Sequence, residues 1–308
     1  MKLALLQLNP TVGDLTGNAE LIRQGVERSR QLGADLAVTP ELALLGYPPR
    51  DLLLRPDFIH RAESAVSNLA EALANAIPAV VGTVERNPAN DGRPLFNSAL
   101  WLESGHIRHA FRKRLLPTYD VFDEDRYFEP TRELNLVTWG DRQLGFTICE
   151  DIWNDRDFWQ HRRYAIDPVE EMARAGADVL INLSASPFSV GKPGLRSQMI
   201  GSMARKHQLP IAYVNQVGGN DDLIFDGSSF VRDRDGRTCV RGAAFDADIV
   251  LVDLDVMTGT TAEWPEEAIA ELYQALVLGT RDYARKCGFR RALLGLSGGI
   301  DSAVTAAI

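Results

Sequence analysis

An α/β fold is predicted by three features of the 308-residue sequence. Short runs of β-prone residues alternate with segments of helical periodicity, a pattern typical of sheets covered by helices. Hydrophobic residues make up 45% of the chain and charged residues 24%, which is typical of a globular protein and excludes a disordered or collagen-like chain. The length allows one large domain or two ordinary ones, so a sizeable buried core is expected.

Charge and cysteine content narrow the class of protein. Lys and Arg total 33 against 42 Asp and Glu, a formal net charge of −9 without a basic block, so nucleic-acid binding is not expected. Cys149, Cys239 and Cys287 are widely separated and provide neither a disulfide framework nor a CxxC metal pair. This pattern favours a reducing cytoplasm, where a lone thiol can stay reactive.

No segment is expected to cross a membrane, because every apolar run is far shorter than the roughly 18 residues that a membrane span needs. The apolar start, residues 1–6, continues into residues 7–10 without a small-residue cleavage site. We therefore predict a buried first strand there, not a secretion signal.

The next elements form a helix and a strand. Asn18 is expected to cap the helix, and Gly33 to end it. The strand 36–39 then delivers Glu41 at its end. A second helix through residues 169–173 and a strand at 179–183 repeat this order.

Two short segments support an internal duplication. Residues 33–36 (GADL) resemble residues 176–179 (GADV), and each quartet leads from a predicted helix into a predicted strand. We expect two related halves that form one sandwich.

Further elements are predicted up to about residue 260, where the sequence changes from mixed strands and helices to a helical segment without strand signals. They are a strand at 144–148, a helix at 195–208, a strand at 211–215, a hairpin of 230–233 with 238–241, and a strand at 248–254. Residues 1–260 are therefore assigned to one domain and residues 261–290 to a helical linker. Residues 291–308, a strand 291–296 and a helix start, cannot bury their own apolar faces and are expected to open a domain whose remainder is missing.

The residue types at three predicted strand ends suit amide hydrolysis. A lone cysteine at a strand end is usually a core residue, but Cys149 precedes two carboxylates, which places it at a surface or cleft. Glu41 and Lys113 also follow predicted strands, where α/β folds gather their sites. A thiolate can attack a carboxamide to form a thioester, and a carboxylate can move the protons. A lysine can stabilise the oxyanion, which is worth about 3 kcal/mol for such a donor.

Three segments around these residues resemble the nitrilase, or carbon–nitrogen hydrolase, superfamily. The resemblance covers about residues 1–260 and implies Glu41 as general base, Lys113 as oxyanion-stabilising residue and Cys149 as nucleophile. It also implies an α-β-β-α sandwich that usually pairs through its helical face, and hence a homo-oligomer. The segments are 39–49 (TPELALLGYPP), 112–119 (RKRLLPTY) and 149–153 (CEDIW).

The loop after the predicted strand 292–296 suits a phosphate. Its glycines let backbone N–H groups converge on an anion, Ser297 and Ser302 add hydroxyls, and a helix start favours negative charge. The loop lacks the GK[ST] of the Walker motif and resembles the SGGxDS loop of the Rossmann-like ATP pyrophosphatases, which form adenylates. The ATP-binding residues so implied are Gly295, Leu296, Ser297, Gly298, Gly299, Ile300, Asp301 and Ser302.

An amidase followed by such a loop resembles the glutamine-dependent NAD synthetase family. In that family the first half frees ammonia from glutamine, and the second adenylates nicotinic acid adenine dinucleotide with ATP and amidates it to NAD. Residues 119–128 and 182–188 share the resemblance, which places Tyr119, Ser186 and Lys192 on the glutamine. It implies no cofactor for the glutaminase, and ATP with Mg²⁺ for the complete synthetase, whose other ligands would lie beyond residue 308.

The remaining candidates receive more ordinary interpretations. The acidic run 123–125 lies among aromatic residues and predicts a pocket-lining loop, so Phe122 and Glu124 are expected at the substrate. The five histidines show no metal-ligand spacing. Cys239 and Cys287 are expected to pack, and residues 155–163 to form a helix over the site.

Two alternatives stay open beside a glutaminase that supplies ammonia for NAD synthesis. A stand-alone amidase, such as an omega-amidase or a carbamoyl hydrolase, would not need the loop 297–302. A glutamine-sensing module without catalysis would not need Glu41, Lys113 and Cys149 together.

Overall fold

The computed structural model describes residues 1–89, 91–265 and 267–308. In chain order the strands are β1 (Lys2–Gln7), β2 (Leu36–Val38), β3 (Ala79–Arg86), β4 (Leu95–Glu103), β5 (His106–Arg112), β6 (Leu136–Trp139), β7 (Arg142–Ile148), β8 (Val179–Ser184), β9 (Ile211–Asn215), β10 (Val217–Asn220), β11 (Leu223–Asp226), β12 (Phe230–Arg232), β13 (Thr238–Arg241), β14 (Asp248–Asp253) and β15 (Thr258–Gly259). The helices are α1 (Leu15–Gln31), α2 (Pro56–Ala72), α3 (Pro168–Arg174), α4 (Lys192–His207), α5 (Ala268–Lys286) and α6 (Ile300–Ala307). The α-helices and β-strands alternate from β1 to β3 and from β7 to β9, as the sequence predicts, whereas the strands from β3 to β7 and from β9 to β15 follow one another without a described α-helix between them.

Two mixed sheets form the centre of the structure. The strand order is β15-β14-β1-β2-β3-β4-β5 in the first sheet and β13-β12-β9-β8-β7-β6 in the second. In each sheet three neighbouring strands are parallel, β1 to β3 in one and β7 to β9 in the other, and antiparallel strands flank them. This common plan confirms the prediction of two similarly built halves.

Strand β1 shows why the sheets stack in layers. Leu3 and Leu5 belong to the core between the two sheets, whereas Ala4 and Leu6 belong to the core under α1 and α2. A strand that is buried on both faces reads as a continuous apolar run, as this one does. Helices α3 and α4 cover the outer face of the second sheet through a third core. The resulting α-β-β-α sandwich is the fold that the family resemblance implies.

The start of α1 differs from the prediction. Asp14, not Asn18, is the N-cap, and its carboxylate accepts a hydrogen bond of 2.9 Å from Gly17 N. Asn18 lies in the first turn of the helix, where its side chain is buried and donates to the carbonyl oxygens of Thr11 and Leu44. Gly33 follows the helix at φ +81°, in the left-handed region that favours glycine after a helix end.

The two Gly-Ala-Asp quartets form the same turn. Asp35 Oδ2 accepts from Lys2 N at 2.7 Å, and Asp178 Oδ2 accepts from Gln143 N at 2.7 Å. In each half the aspartate therefore joins the start of one parallel strand to the start of its neighbour. The similarity that the sequence indicates is a structural repeat.

The C-terminal part of the chain packs on one small hairpin. Helix α5 buries Ala275 and Leu278 against the core that includes Val217 and Ile224 of β10 and β11. The predicted strand 291–296 is wrong: these residues are unpaired and largely exposed, because no described strand offers them a neighbour. No helix in the described ranges has the length and apolarity that a membrane crossing requires.

Most other predicted elements are confirmed, among them the hairpin of β12 and β13 and the helix α4, which begins three residues earlier than predicted. Cys239 is half-buried beside the inter-sheet core, as expected for a packing residue. Cys287, however, is exposed at the end of α5, so the packing role predicted for it is wrong.

Candidate active site

Three strand ends from two sheets meet at one buried place. Glu41 follows β2 and Lys113 follows β5, two strands that run in the same direction in the first sheet. Cys149 follows β7 in the second sheet. Their exposed fractions are 1%, 0% and 4%, so all three side chains are buried. The structure thus brings together the three residues for which the sequence predicts catalytic roles.

Three donors fix the carboxylate of Glu41. Lys113 Nζ and Asn97 Nδ2 donate to Oε1 at 2.6 and 2.8 Å, and Ala185 N donates to Oε2 at 3.2 Å. The Glu41 turn also lies against β3, where a side chain at Gly82 would meet Pro40 O at 2.2 Å. Glu41 is therefore held in one position by both sheets.

Lys113 lies between two carboxylates. Its Nζ also donates to Glu124 at 2.9 and 2.8 Å. Burial alone would lower the pKa of Lys113, but Glu124 and Glu41 outweigh it and raise the pKa well above its ordinary value. Lys113 is therefore a permanent ammonium. Burial raises the pKa of Glu124, and Lys113 opposes that rise.

Cys149 occupies a strained turn. Its φ is +43°, uncommon for a residue other than glycine, and it begins a 3₁₀ helix that ends at Ile152. Burial, followed by Glu41, raises the pKa of the Cys149 thiol well above its ordinary value, although Lys113 acts in the opposite direction. The resting nucleophile is therefore a neutral thiol that needs a base.

Asp151 ties this turn to the segment that carries Lys113. Its carboxylate accepts hydrogen bonds from Ile148 N at 2.9 Å, Arg114 N at 3.0 Å and Leu115 N at 2.8 Å. Burial raises the pKa of Asp151 to about 6, while these three amides favour its charged form. Asp151 thus sets the distance between the end of β7 and the end of β5.

Replacing Asp151 with alanine is expected to destabilise the protein by about 3 kcal/mol or more, because each buried N–H left without a partner costs roughly 1–3 kcal/mol. Urea unfolding followed by circular dichroism measures the free energy of unfolding. The matched control is Asp235→Ala, since Asp235 is 62% exposed and, among the residues that the structure describes, pairs only with Arg237. Equal stability of both variants would refute the role given to Asp151.

A cavity of about 640 Å³ opens in front of Cys149. Four of the five predicted substrate residues line it: Tyr119, Phe122, Ser186 and Lys192. The fifth, Glu124, does not line this cavity. Its carboxylate accepts hydrogen bonds from Lys113 Nζ and from Tyr47 Oη, so Glu124 holds the ammonium of Lys113, and its contact with the substrate stays a prediction.

Lys192, at the start of α4, places a cationic group on the cavity wall. Its Nζ lies 5.8 Å from the centre of the Trp153 ring. Burial, followed by the neighbouring charge of Arg196, lowers the pKa of Lys192. Arg196 is itself paired with Asp226 at 2.6 Å in a buried ion pair. Helix α4 is thereby anchored to β11 near its N-terminus.

The segment 155–163 covers part of the cavity but is not a helix, so that prediction is wrong. Asp155 Oδ1 accepts from the backbone N–H groups of Asp157 and Phe158, each at 2.9 Å. Such side-chain bonds compete with helix formation. Trp159, His161 and Arg163 of this segment lie on the cavity wall. His161, predicted as a surface or core histidine, is therefore a cavity residue.

Several polar residues of the site are missed by the sequence reasoning. Asn97 and Tyr47 support Glu41 and Glu124, and Glu150 lines the cavity with Tyr119 and Tyr164 as donors. Asn97 had a sequence signal, because it is an amide within the largely apolar strand β4. Within the described ranges, no three His, Cys, Asp or Glu side chains are grouped as a metal site.

The predicted phosphate loop is exposed to solvent and forms a turn before α6. Ser297 N donates to Ser302 Oγ at 3.3 Å, and Gly299 N donates to Ser297 Oγ at 3.3 Å. Gly298 has φ +88°, and open space surrounds the position where its side chain would be. Hydroxyl and backbone N–H donors of this kind fit a phosphate.

Comparisons with known proteins agree with this architecture. The model of the carbon–nitrogen hydrolase family matches residues 2–264, and that of NAD synthase matches residues 272–308. The glutamine-dependent NAD(+) synthetase of Synechocystis sp. is 46% identical over 314 residues, which cover 99% of this chain and 56% of that protein. The enzyme of the same name from Thermotoga maritima is 35% identical, with 100% and 58% covered. The chain thus spans about half the length of these relatives.

Solved structures show the same similarity. The glutamine-dependent NAD+ synthetase from Acinetobacter baumannii, in complex with ADP, superposes with a TM-score of 0.87 at 37% identity, over 99% of this chain and 56% of that one. An amidase from Nesterenkonia sp. gives a TM-score of 0.67 at 23% identity, over 82% and 90% of the two chains. The second comparison concerns the fold of the sandwich alone.

Proposed function

This chain belongs to the carbon–nitrogen hydrolase family, and from that premise we propose that it hydrolyses the side-chain amide of glutamine through a thioester on Cys149. The observation that carries the proposal is the buried ion pair of Lys113 with Glu41 beside the neutral thiol of Cys149. A base, a fixed positive charge and a nucleophile are the three components that thioester chemistry on an amide requires.

The first half of the reaction forms the thioester. Glu41 takes the proton from Cys149 Sγ as the sulfur attacks the carboxamide carbon. Negative charge then develops on the amide oxygen, and the Lys113 ammonium stabilises it. The C–N bond breaks as Glu41 returns the proton to the departing nitrogen, which leaves as ammonia.

The second half releases the product. Glu41 takes a proton from a water molecule, and the resulting hydroxide attacks the thioester carbon. The C–S bond breaks, the proton returns to the sulfur, and glutamate leaves. Glu41 thus transfers protons in both halves, and its three hydrogen-bond donors keep it in reach of the thiol throughout.

The cavity wall supports an amino-acid amide as substrate. Lys192 supplies a positive charge that a carboxylate can pair with, and Ser186 supplies a hydroxyl near the end of β8. Tyr119 and Phe122, whose rings are 5.7 Å apart, form an aromatic side that fits the methylene groups of glutamine. These features, with the names of the relatives, favour glutamine over a simple aliphatic amide.

We further propose that the ammonia serves the ATP-dependent amidation of nicotinic acid adenine dinucleotide to NAD in the whole protein. Residues 295–302 would hold ATP phosphates through backbone N–H groups and the hydroxyls of Ser297 and Ser302. ATP activates a carboxylate as an adenylate. Mg²⁺, a homo-oligomer built on the sandwich and a cytoplasmic location belong to the same proposal.

The proposal is tested by offering the protein L-glutamine, asparagine and aliphatic ω-amides and measuring ammonia release. We expect L-glutamine to give the highest kcat/KM. A diazo-ketone analogue of glutamine is expected to add one adduct, located on Cys149 by peptide mass spectrometry. Labelling of Cys239 or of the exposed Cys287 instead, with Cys149 unmodified, would disprove the site. A preference for aliphatic amides would point to a stand-alone amidase.

A further inference from the structure

A lysine at the end of helix α5 joins this helix to the hairpin of β10 and β11. Lys286, in the last turn of α5, donates from Nζ to Asn220 Oδ1 at 2.8 Å. The same ammonium donates to the carbonyl oxygens of Pro10 and Gly219 at 3.0 and 3.1 Å. The helix also approaches the hairpin backbone closely, since a side chain at Gly219 would meet the Cα of Gly279 at 3.0 Å. Lys286 therefore has a fixed position against β10.

The ammonium of Lys286 determines how the buried side chain of Asn220 is oriented. An ammonium group has three donors and no acceptor, so the amide oxygen of Asn220 faces it. The amide nitrogen is thereby turned the other way, where it donates to Tyr47 O at 3.0 Å. Gln216 Nε2 approaches the same carbonyl at 3.4 Å. The backbone of Tyr47 is therefore held by an amide whose orientation depends on α5.

Tyr47 connects this hairpin to the active site. Its phenol donates to Glu124 Oε1 at 2.9 Å, and the Glu124 carboxylate accepts from Lys113 Nζ at 2.9 and 2.8 Å. Tyr47 is buried, and its ring packs edge-on against Phe225 with 6.1 Å between the ring centres. Direct contacts therefore lead from the end of α5 to the ammonium of Lys113.

We propose that Asn220 and Lys286 are positioning residues of the active site. They fix the backbone of Tyr47, whose phenol then holds Glu124 against the Lys113 ammonium. This inference rests on the proposed glutaminase function and adds to it two residues that lie outside the cavity wall. A small displacement is enough to slow the reaction, because a misplacement of about 1 Å can cost about 100-fold in rate. Helix α5, predicted as a linker, thus supports the site.

The test replaces Asn220 with aspartate. Asn220→Asp keeps the size of the side chain and an acceptor for Lys286, but an ionised carboxylate cannot donate to Tyr47 O. We expect kcat for glutamine to fall about tenfold, as for a lost hydrogen bond that supports a charged group. KM should change less than about twofold, because Asn220 does not line the cavity. Lys286→Met, which removes the ammonium, should have an effect of similar size.

A double variant shows whether the effect passes through the phenol of Tyr47. Tyr47→Phe removes the donor to Glu124 and should by itself lower kcat about 30-fold. If Asn220 acts through this phenol, adding Asn220→Asp to Tyr47→Phe should cost less than about twofold more. The same tenfold loss in both backgrounds would overturn the inference, as would a loss through KM alone.

Asp282→Ala is the matched control on the same helix. Asp282 lies one turn before Lys286 and accepts from Asn9 Nδ2 at 2.7 Å and from Gly219 N at 2.9 Å. Both contacts anchor α5 without passing through Asn220. This variant should lower the melting temperature at least as much as Asn220→Asp, yet change kcat less than about threefold. A kcat that follows stability in all of these variants would leave the network a purely structural role and overturn the inference.

A measurement without turnover separates this inference from the proposed function. Hydrogen–deuterium exchange of peptides that cover residues 42–49 should be about tenfold faster in Asn220→Asp and in Lys286→Met than in the wild-type chain, because the Tyr47 carbonyl is released. Unchanged exchange would overturn the inference whatever the activity. Faster exchange in the variants, with no ammonia released from glutamine by the wild-type chain, would overturn the proposed function and leave the support of Tyr47 by Asn220 and Lys286 standing.

Discussion

Replacing Cys149 with alanine is expected to abolish ammonia release from glutamine, with a loss in kcat of about 10⁴-fold or more, as for a removed nucleophile. The sulfur forms the only covalent bond between protein and substrate in the proposed reaction, so no thioester can form without it. Ammonia release over hours, with and without the substitution, measures the effect. Cys239→Ala, on a half-buried thiol outside the cavity, should retain full activity.

The alanine variant also separates binding from chemistry. Its side chain is smaller by one sulfur atom at a buried position, so its free energy of unfolding should fall by no more than about 1–2 kcal/mol. Glutamine should still raise its melting temperature, because Lys192 and Ser186 are intact. Ammonia release close to the wild-type rate would eliminate the thioester mechanism and Cys149 with it.

Replacing Lys113 with methionine is expected to lower both activity and stability. Loss of the oxyanion-stabilising charge should decrease kcat about 10³-fold. The substitution also leaves Glu41 and Glu124 buried without a cation, and breaking a buried ion pair in this way costs about 3–5 kcal/mol. Urea unfolding and ammonia release on the same preparation measure the two effects.

A double variant tells the two effects apart. In the double variant Lys113→Met with Glu124→Gln, a neutral amide replaces one of the two buried carboxylates that lack a cation. Part of the stability should therefore return, while kcat stays low. Recovery of activity in the double variant would contradict the role given to Lys113. No recovery of stability would show that Glu124 does not depend on Lys113 for its charge.

The pH dependence of the Lys113→Met variant follows from the same charges. In the wild-type protein burial already raises the pKa of Glu124, and Lys113 opposes that rise. Without Lys113 the folded-state pKa rises further above the unfolded value, so the folded state binds the proton more tightly. The stability of the variant should therefore fall as pH rises from the ordinary glutamate range through neutrality. Stability that increases with pH in this range would contradict the predicted direction of the pH dependence.

The sequence predicted the layers and the strand ends because both depend on local patterns. A run such as that of β1 is apolar on both faces, and helix ends carry their own signals in Gly33 and Gly176. The resemblance of three short segments then pointed to Glu41, Lys113 and Cys149 as a set. The structure places these three side chains together, and their catalytic roles stay a prediction.

Failures of the sequence reasoning have physical causes. Asn18 has the right residue type for a cap, but Asp14 lies one turn earlier and Asn18 finds buried carbonyl partners instead. Residues 155–163 have helical composition, yet Asp155 bonds to the backbone and turns the chain. Residues 291–296 (RALLGL) are mostly apolar, but they contain no β-branched or aromatic residue, and a strand requires a neighbour that the described residues do not supply.

The polar neighbours of the site could not be predicted from the sequence for a different reason. Asp151 acts through three backbone amides, which have no sequence signature. Glu150 looks like one more surface acid until the fold buries it beside Tyr119 and Tyr164. Such roles depend on which segments the fold places side by side, and no local pattern records that.

The division of the site between the two sheets has a consequence for biosynthesis. Glu41 and Lys113 precede Cys149 by more than thirty residues, but β14 and β15, which complete the first sheet, follow every strand of the second sheet in the chain. A nascent chain therefore cannot complete the first sheet before the second. The site that we propose for glutamine hydrolysis is supported by both complete sheets only when nearly the whole sandwich has been synthesised.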